Sequence, residues 1–242
     1  VHGTARRPMS QPVYAKMAVI GCGLIGTSVI LAARAAGVVG EVAVADASAA
    51  ARARIEALGF ADSVTADPAE ACRGADLVVL AVPVMAMAEA ARAAAPGVKP
   101  GATVTDVGSV KAAVGEALAQ ALPATCFIVP GHPIAGTEQS GPDAGFAELF
   151  QHRWVILTPQ PRAPDAQDAA PYQAAVERLT DFWTALGSNV ELMDDKHHDL
   201  VLAVTSHLPR RSPYTIVGAA ADLEGVNQGE VMRYAAGGFR DF

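Results

Sequence analysis

Cysteine is scarce in this 242-residue chain, and no part of the chain is continuously apolar over a long stretch. The three cysteines, Cys22, Cys72 and Cys126, lie far apart and include no CxxC pair. This spacing argues against a disulfide framework and against a cysteine-based zinc site, and it indicates a reducing compartment, for which we expect the cytoplasm. No uninterrupted apolar run reaches the roughly 18 residues of a transmembrane helix, so the sequence predicts no membrane span.

Basic residues are in the minority, with 18 Lys and Arg against 25 Asp and Glu and a formal net charge of −7. This balance argues against nucleic acid or an anionic membrane surface as a partner. Hydrophobic residues make up 51% of the chain and charged residues 18%, which is typical of a folded protein with one large domain or one domain and a smaller second part. Residues 1–12 are predicted to be a disordered leader.

Three glycines in G-x-G-x-x-G spacing follow a short apolar run that is predicted to be a strand. They are Gly21, Gly23 and Gly26, with Leu24 and Ile25 between the last two, and an alanine-rich segment of helical length comes next. In a dinucleotide-binding turn the first glycine makes a tight bend, the second lets the backbone approach the pyrophosphate, and the third allows close packing of the helix on the strand. The start of the helix adds unpaired N–H groups that suit a diphosphate.

A carboxylate stands where such a turn requires one. The predicted second strand, residues 41–45, ends in Asp46, about 20 residues after Gly26. An acidic side chain at this point accepts hydrogen bonds from the adenosine ribose and repels a 2′-phosphate. The unit therefore predicts NAD binding in preference to NADP.

Strand-like and helix-like segments alternate from residue 15 to about residue 122. This pattern predicts the α/β class, with a Rossmann-type, doubly wound parallel sheet covered by helices on both faces. Residues 76–82 are a continuous apolar run typical of a buried parallel strand. Val82 and Pro83 end that run at the carboxyl edge of the sheet, where such folds bind ligands.

The second half of the chain contains shorter predicted elements. Strands are expected at 127–129, 154–157 and 189–192, a helix at 171–186, and mostly helix at 195–221. A polar loop is predicted after the strand at 127–129.

Two polar residues are candidates for chemistry at the same sheet edge. His132, on the predicted polar loop, is either a satisfied structural histidine or a base that takes a hydroxyl proton while hydride leaves for nicotinamide. Ser109 is either a plain helix cap or a ligand of the substrate or of His132. The histidines His197, His198 and His207 fall on one predicted helix without H-E-x-x-H spacing, which argues against a metal site. The charged residues beside the first two are consistent with a solvated face.

Taken together, several motifs in one order resemble the prephenate dehydrogenase (TyrA) family, which includes arogenate and cyclohexadienyl dehydrogenases. The resemblance covers residues 16–242, and its most specific parts are the His-Pro loop and the Ser-His-Leu-Pro segment. The motifs are the glycine turn at 21–26, Asp106-Val-Gly-Ser-Val-Lys111, Gly131-His-Pro-Ile-Ala-Gly-Thr-Glu138, His198-Asp199, Ser206-His-Leu-Pro209 and Gly238-Phe-Arg-Asp-Phe242.

Membership implies NAD(P)-dependent oxidative decarboxylation of prephenate to 4-hydroxyphenylpyruvate, or of arogenate to tyrosine, in tyrosine biosynthesis. By position, His132 would accept the proton of the ring hydroxyl, and Ser109 would orient both His132 and that hydroxyl group. The resemblance also implies a homodimer, with an NAD-binding domain at 13–192 and a helical dimerisation domain from 193 to 242. The implied substrate-binding residues are Thr137, Glu138, His198, His207, Gly237 and Asp241.

Two features depart from the family pattern. The segment Arg210-Arg-Ser-Pro213 replaces a histidine and apolar residues of a buried helix, where unpaired charge and proline are costly. The sequence also ends before the family's Thr-Arg pair and later helices, so the helical domain is predicted to be incomplete, with Arg240 or Arg210 as stand-ins for the missing arginine.

Two alternatives stay open at this point. One is a catalytically silent NAD-binding fragment, which would bind NAD without turnover. The other is a 3-hydroxyacid-type or imine-type dehydrogenase on the same fold, which would use a catalytic lysine on a helix and would not rely on His132. The sequence does not choose between prephenate and arogenate.

Overall fold

The computed structural model describes residues 11–160 and 170–203. A six-stranded, entirely parallel sheet lies at its centre, in the strand order β3-β2-β1-β4-β5-β6. This order is typical of dinucleotide-binding proteins, and it reverses direction between β1 and β4, where a crevice forms. The strands are β1 (Tyr14–Ile20), β2 (Val39–Ala45), β3 (Ser63–Thr65), β4 (Leu77–Leu80), β5 (Thr103–Asp106) and β6 (Phe127–Ile128).

Seven α-helices connect or follow these strands within the described residues. None of them has both the length and the apolar character needed to cross a membrane. They are α1 (Leu24–Ala36), α2 (Ala49–Leu58), α3 (Pro68–Cys72), α4 (Met87–Ala94), α5 (Ala112–Ala121), α6 (Ala170–Ala185) and α7 (Asp195–Leu202). The predicted Rossmann-type sheet is confirmed.

Both faces of the sheet are buried, because successive side chains of a strand point to opposite sides. On β1, Val19 joins the apolar cluster under α1 and α6, whereas Ile20 joins the cluster under α4 and α5. Phe182 and Trp183 of α6 are fully buried in the first cluster. This two-sided burial explains why the central strands are continuously apolar in the sequence.

A second sheet of three strands lies beyond the main one. It contains β7 (Gly131–Pro133), β8 (Trp154–Leu157) and β9 (Asn189–Leu192), with β7 antiparallel and β9 parallel to β8. The prediction that His132 lies on a loop is wrong, because His132 pairs with Ile156 across β7 and β8. Gly and Pro are poor strand formers, so only the pairing with β8 makes this segment extended.

Helix α7 packs on this second sheet. Val201 and Leu202 form a small apolar cluster with Ile156 of β8. This packing places the start of α7 beside β7, next to the His132 side chain. Strand β3 was not predicted, since three residues are too few for an alternating pattern.

Several predictions fall outside the described residues. They concern the leader, apart from residues 11 and 12, and the segment from 204 to 242. The predicted site residues in that segment are His207, Gly237 and Asp241, together with the substitutes Arg210 and Arg240.

Candidate active site

A cleft of about 910 Å³ opens at the carboxyl edge of the main sheet, where the strand order reverses. Its walls come from the turns after β1, β2, β4 and β5 and from β7 and the loop that follows it. Nine of the predicted site residues line the cleft: Gly21, Gly23, Leu24, Ile25, Asp46, Val82, Pro83, Ser109 and His132. The tertiary structure thus brings the glycine turn and the candidate base into one cavity.

The three glycines of the turn meet different constraints. Gly21 has φ +88°, and a Cβ there would lie 2.8 Å from the Ala81 carbonyl oxygen. A Cβ on Gly26 would lie 2.3 Å from the Gly21 carbonyl oxygen, so the helix start and the turn are in close contact. A Cβ on Gly23 would meet nothing within 4 Å. Packing within the protein therefore does not require glycine at position 23. Gly23 lies on the side of the turn that faces the cleft.

Helix α1 begins directly after Gly23 and points its N-terminus at this space. Gly23 has no side chain with which to cap the first N–H groups, and the first turn of α1 contains no acidic residue. Unpaired N–H groups and the positive end of the helix dipole are therefore left for an anion.

Asp46 ends β2 at the adjacent wall. Its Oδ2 accepts a hydrogen bond from the Cys22 N–H at 2.9 Å, and its Oδ1 accepts one from the Ser48 N–H at 2.9 Å. These bonds hold the carboxylate beside the glycine turn. Each carboxylate oxygen has a second lone pair, so the group can still accept hydrogen bonds from a ligand.

Ser109 is exposed and lines the cleft in the segment between β5 and α5. Its interpretation as the cap of the next helix is wrong. Helix α5 begins at Ala112, and the N–H groups of Lys111 and Ala112 donate to the Asp199 carboxylate at 2.7 and 3.0 Å. A carboxylate 87 residues further along the chain caps this helix.

His132 belongs to a chain of three polar side chains. Its Nδ1 lies 2.9 Å from Nε2 of His198, and Nδ1 of His198 lies 2.9 Å from Oδ1 of Asp199. The two imidazole rings meet edge to face, with centroids 5.2 Å apart. His198, an implied substrate-binding residue, therefore lies directly behind His132.

The environment of this chain sets its charges. His198 is completely buried, and the loss of hydration lowers its pKa below the ordinary value of 6.5, although Asp199 acts in the opposite direction. Partial burial opposes ionisation of Asp199, but the N–H groups of Lys111 and Ala112 and the His198 ring outweigh it and lower the pKa of this carboxyl. Of the two charged residues interpreted as a solvated face, Lys196 is exposed, whereas Asp199 is partly buried and bound to His198 and to two N–H groups at the start of α5.

A buried ion pair lies beneath the same site. Lys111 and Asp106 are both fully buried and in direct contact, and Nζ of Lys111 also donates to the Gly131 carbonyl oxygen at 2.8 Å. Asp106 in turn accepts hydrogen bonds from the Gly108 and Gly131 N–H groups at 2.7 and 3.2 Å. The ion pair is thus hydrogen-bonded to both the N–H and the carbonyl group of Gly131, the residue that precedes His132.

No role was predicted for Asp106 or Lys111, although both stand in a quoted motif. The signal available was a carboxylate that closes an apolar strand with a lysine five residues later. Because Lys111 is fully buried and does not line the cleft, it does not fit the catalytic lysine of the 3-hydroxyacid alternative.

The loop after β7 does not place the predicted substrate residues Thr137 and Glu138 in the cleft. Thr137 and Glu138 are exposed and do not line the cleft, whereas the next residues, Gln139 to Gly141, do. The Gln139 N–H donates to Oγ1 of Thr137 at 3.2 Å, which forms a local turn. Across the described ranges, no cluster of three or more His, Cys, Asp or Glu residues is arranged to hold a metal ion.

The fold and the cleft define a class of protein. A parallel sheet with a glycine turn and a carboxylate at its switch point is a dinucleotide-binding domain. Two family descriptions match the chain: the nucleotide-binding domain of prephenate dehydrogenase over residues 29–192, and the prephenate dehydrogenase dimerization domain over residues 194–242. The chain belongs to the prephenate dehydrogenase family, as its motifs predict.

Individual relatives agree with this assignment. The chain is 45% identical to a cyclohexadienyl dehydrogenase of Zymomonas mobilis over 95% of its own length and 75% of that protein. It is 32% identical to a prephenate dehydrogenase of Bacillus subtilis over 91% of its length and 57% of that protein. It therefore spans three quarters of the first relative and somewhat over half of the second.

Solved structures show the same similarity. Prephenate dehydrogenase from Aquifex aeolicus, in complex with hydroxyphenyl propionate and NAD+, has a TM-score of 0.73 and 29% identity over 94% of this chain and 76% of that chain. An arogenate dehydrogenase from Synechocystis has a TM-score of 0.70 and 28% identity over 93% of this chain and 77% of that chain. A ketopantoate reductase from Ralstonia eutropha, at 22% identity and a TM-score of 0.57, shares the fold alone.

Proposed function

We propose that this protein is an NAD-dependent dehydrogenase of tyrosine biosynthesis that oxidatively decarboxylates prephenate, arogenate or both. The observation that carries the proposal is the position of His132, which lines the same cleft as the glycine turn and Asp46. A base within reach of a bound dinucleotide is what oxidation of a hydroxyl group requires. The family match over residues 29–192 supports the same conclusion.

The residues at the sheet edge fit NAD. The open side of Gly23 and the N-terminus of α1 would hold the diphosphate. Asp46 would accept hydrogen bonds from the adenosine ribose hydroxyls, and its charge would repel a 2′-phosphate. Val82 and Pro83 would line the cavity on the β4 side. When bound, NAD supplies the hydride acceptor at its nicotinamide ring.

His132 and Ser109 would act on the substrate. His132 would hydrogen-bond the ring hydroxyl and accept its proton as the carbon that carries that hydroxyl loses hydride. The bond from the ring to its carboxylate then breaks, and the released electron pair makes the ring aromatic as CO₂ leaves. Ser109 lines the cleft and would orient the hydroxyl group. The remaining substrate residues that the family resemblance implies are Thr137, Glu138, His198, His207, Gly237 and Asp241. Of these, His198 would act on the substrate through His132, and Thr137 and Glu138 would do so only from the loop beside the cleft.

The organisation of the chain follows from the same proposal. Residues 13–192 would form the NAD-binding domain, and the helical domain would begin at about residue 193, just before α7. The match of residues 194–242 to a dimerization domain supports a homodimer. A cytoplasmic location agrees with three buried cysteines that form no disulfide in the described part of the chain.

Neither alternative has comparable support. A silent NAD-binding fragment is not favoured, since both family domains match and His132 lies in the cleft. The 3-hydroxyacid-type dehydrogenase is not favoured because no lysine of the described residues lines the cleft.

Purified protein with NAD, given prephenate and arogenate in separate reactions, tests the proposal through the absorbance of NADH. We expect turnover of one or both substrates, and a loss of at least about 100-fold in kcat for His132→Asn with unchanged NAD affinity. His152→Asn is a matched control, because His152 is exposed at a backbone φ of 60° that asparagine tolerates. NAD binding without turnover of either substrate would identify a silent protein, and an active His132→Asn variant would remove His132 from the chemistry.

A further inference from the structure

We infer that Asp199 is a positioning residue that acts through His198 to hold His132 with a proton on Nδ1, which leaves Nε2 to receive the proton of the substrate. The inference rests on the proposed function only for the identity of that substrate. It assigns a role to a carboxylate that belongs to α7 and lies outside the set of residues expected to touch NAD or substrate.

The direction of the hydrogen bonds starts at Asp199. Its Oδ1 accepts from the Lys111 N–H at 2.7 Å, and its Oδ2 accepts from the Ala112 N–H at 3.0 Å. Backbone N–H groups donate only, so both oxygens act as acceptors and the carboxylate is held in its charged form. The contact of Oδ1 with Nδ1 of His198 at 2.9 Å therefore requires a hydrogen on that nitrogen.

The hydrogen on Nδ1 decides the state of the rest of the His198 ring. His198 is completely buried, which favours the neutral imidazole. A neutral imidazole carries one hydrogen, so Nε2 of His198 can only accept. The 2.9 Å contact between that nitrogen and Nδ1 of His132 is then a hydrogen bond donated by His132.

The same reasoning determines which nitrogen of His132 carries the hydrogen. With its hydrogen on Nδ1, the neutral His132 ring has Nε2 as its accepting nitrogen. A side chain that lines the cleft is thereby prepared to take a proton. The second hydrogen bond of a catalytic histidine commonly selects its tautomer in this way.

The charges around His198 support this arrangement. The charged neighbours of His198 on α7 are Asp199 and Asp195. On the α5 side its charged neighbour is Lys111, which forms an ion pair with Asp106. Asp195 is engaged elsewhere, since its Oδ2 accepts from the Gln160 side chain at 2.7 Å. Of the two carboxylates on α7, Asp199 is the one that contacts the imidazole.

The chain of contacts also joins the two matched parts of the protein. His132 lies in the range that matches the nucleotide-binding domain, whereas His198 and Asp199 lie in the range that matches the dimerization domain. The proton arrangement of His132 therefore depends on α7 lying against β7 and α5. The caps that Asp199 provides to α5 supply that docking.

Asp199→Asn is the direct test. An asparagine side chain has a single oxygen, which can accept from only one of these two positions. When that oxygen accepts from the Ala112 N–H, the NH₂ group takes the place of Oδ1, faces Nδ1 of His198 and forces that nitrogen to accept. The hydrogen of each ring would move to the other nitrogen, and His132 would present Nε2–H to the substrate. We expect kcat to fall by on the order of 100-fold with little change in NAD affinity.

Nitrogen NMR of protein with ¹⁵N-labelled histidine reads the arrangement without substrate. In the unsubstituted protein we expect His132 to show a protonated Nδ1 and an unprotonated Nε2, and Asp199→Asn to reverse the two. The His132→Asn variant assigns the signals. Asp195→Asn, the same change four residues earlier on α7, is the matched control and should leave both the tautomer and kcat nearly unchanged.

A second variant separates positioning from simple capping. His198→Gln breaks the chain of contacts but leaves the caps on α5 in place. If Asp199 acts through His198, the double variant His198→Gln/Asp199→Asn should be no slower than the slower single variant, whereas independent roles would multiply the losses.

Multiplied losses, or a His132 ring with its hydrogen on Nε2 in the unsubstituted protein, would overturn the inference. An absence of turnover with either substrate, with the expected tautomer in the NMR spectrum, would count against the proposed function alone.

Discussion

Nζ of Lys111 donates a hydrogen bond to the carbonyl oxygen of Gly131 at 2.8 Å. This bond joins the start of α5 to the residue before His132, deep below the cleft. The same ammonium group contacts Asp106 in a pair with no solvent exposure. Burial raises the pKa of Asp106 and lowers that of Lys111, and their mutual attraction opposes both shifts. The charged pair is therefore stable only while both partners are present.

Removal of Lys111 should consequently be costly. We expect Lys111→Met to reduce the free energy of unfolding by about 3–5 kcal/mol, since it leaves Asp106 as an uncompensated buried charge. Urea denaturation followed by circular dichroism measures the change. Lys99→Met is a matched control, because Lys99 also pairs with a carboxylate and a backbone carbonyl but is 39% exposed. The control should cost about 1 kcal/mol or less, and equal losses for the two variants would contradict the assignment.

His198 should make stability depend on pH. Its folded pKa lies below the ordinary 6.5, so the unfolded chain binds more protons at mildly acidic pH. The free energy of unfolding should accordingly be highest above about pH 6.5 and fall as the pH is lowered through that value. His198→Gln should show a smaller fall between about pH 7 and pH 5, measured by denaturant titrations at each pH.

The comparison with the unsubstituted protein isolates this contribution from other titrating groups, such as Asp106. A His198→Gln variant with an unchanged slope would show that His198 is protonated equally in the folded and unfolded states.

Two glycines of the turn should respond differently to the same substitution. Gly26→Ala places a methyl group 2.3 Å from the Gly21 carbonyl oxygen, so we expect a loss of about 1–3 kcal/mol of stability and of NAD affinity together. Gly23→Ala meets no protein atom within 4 Å and should cost less than about 1 kcal/mol of stability. It should nevertheless weaken NAD binding by about tenfold or more, because the methyl group occupies the open side of the turn. Thermal unfolding and NAD titration by fluorescence measure the two effects, and a Gly23→Ala variant with normal NAD affinity would place the diphosphate elsewhere.

Asp46 should determine the choice between the two nicotinamide dinucleotides. Asp46→Asn retains one oxygen, for either the Cys22 or the Ser48 N–H group, and removes the negative charge. We expect the ratio of kcat/KM for NAD to that for NADP to fall by about tenfold or more. Asp67→Asn, in the exposed cap of α3, is the matched control and should leave the ratio unchanged. An unaltered ratio in Asp46→Asn would mean that other residues exclude the 2′-phosphate.

Much of the fold was predictable because its signals are local. The glycine spacing at 21–26, the apolar run that becomes β4 and the carboxylate that ends β2 each depend on a few neighbouring residues. Strand β7 was missed for the opposite reason, since its extended conformation comes from pairing with β8 more than 20 residues later. The family, too, was identified from short motifs whose order along the chain is specific.

The amino-acid sequence by itself determined the dinucleotide turn, the parallel sheet and the presence of His132 among the candidate bases. Only the tertiary structure decided what His132 contacts, because His198 is 66 residues away in the chain and reaches it through the packing of α7 on the second sheet. The same holds for Asp199, whose place beside a lysine and two histidines suggested a solvated face. A polar side chain on a short helix has the same pattern in the sequence whether it meets water or the N-terminus of another helix. Long-range packing makes that choice, since buried N–H groups and imidazoles must find partners within the fold.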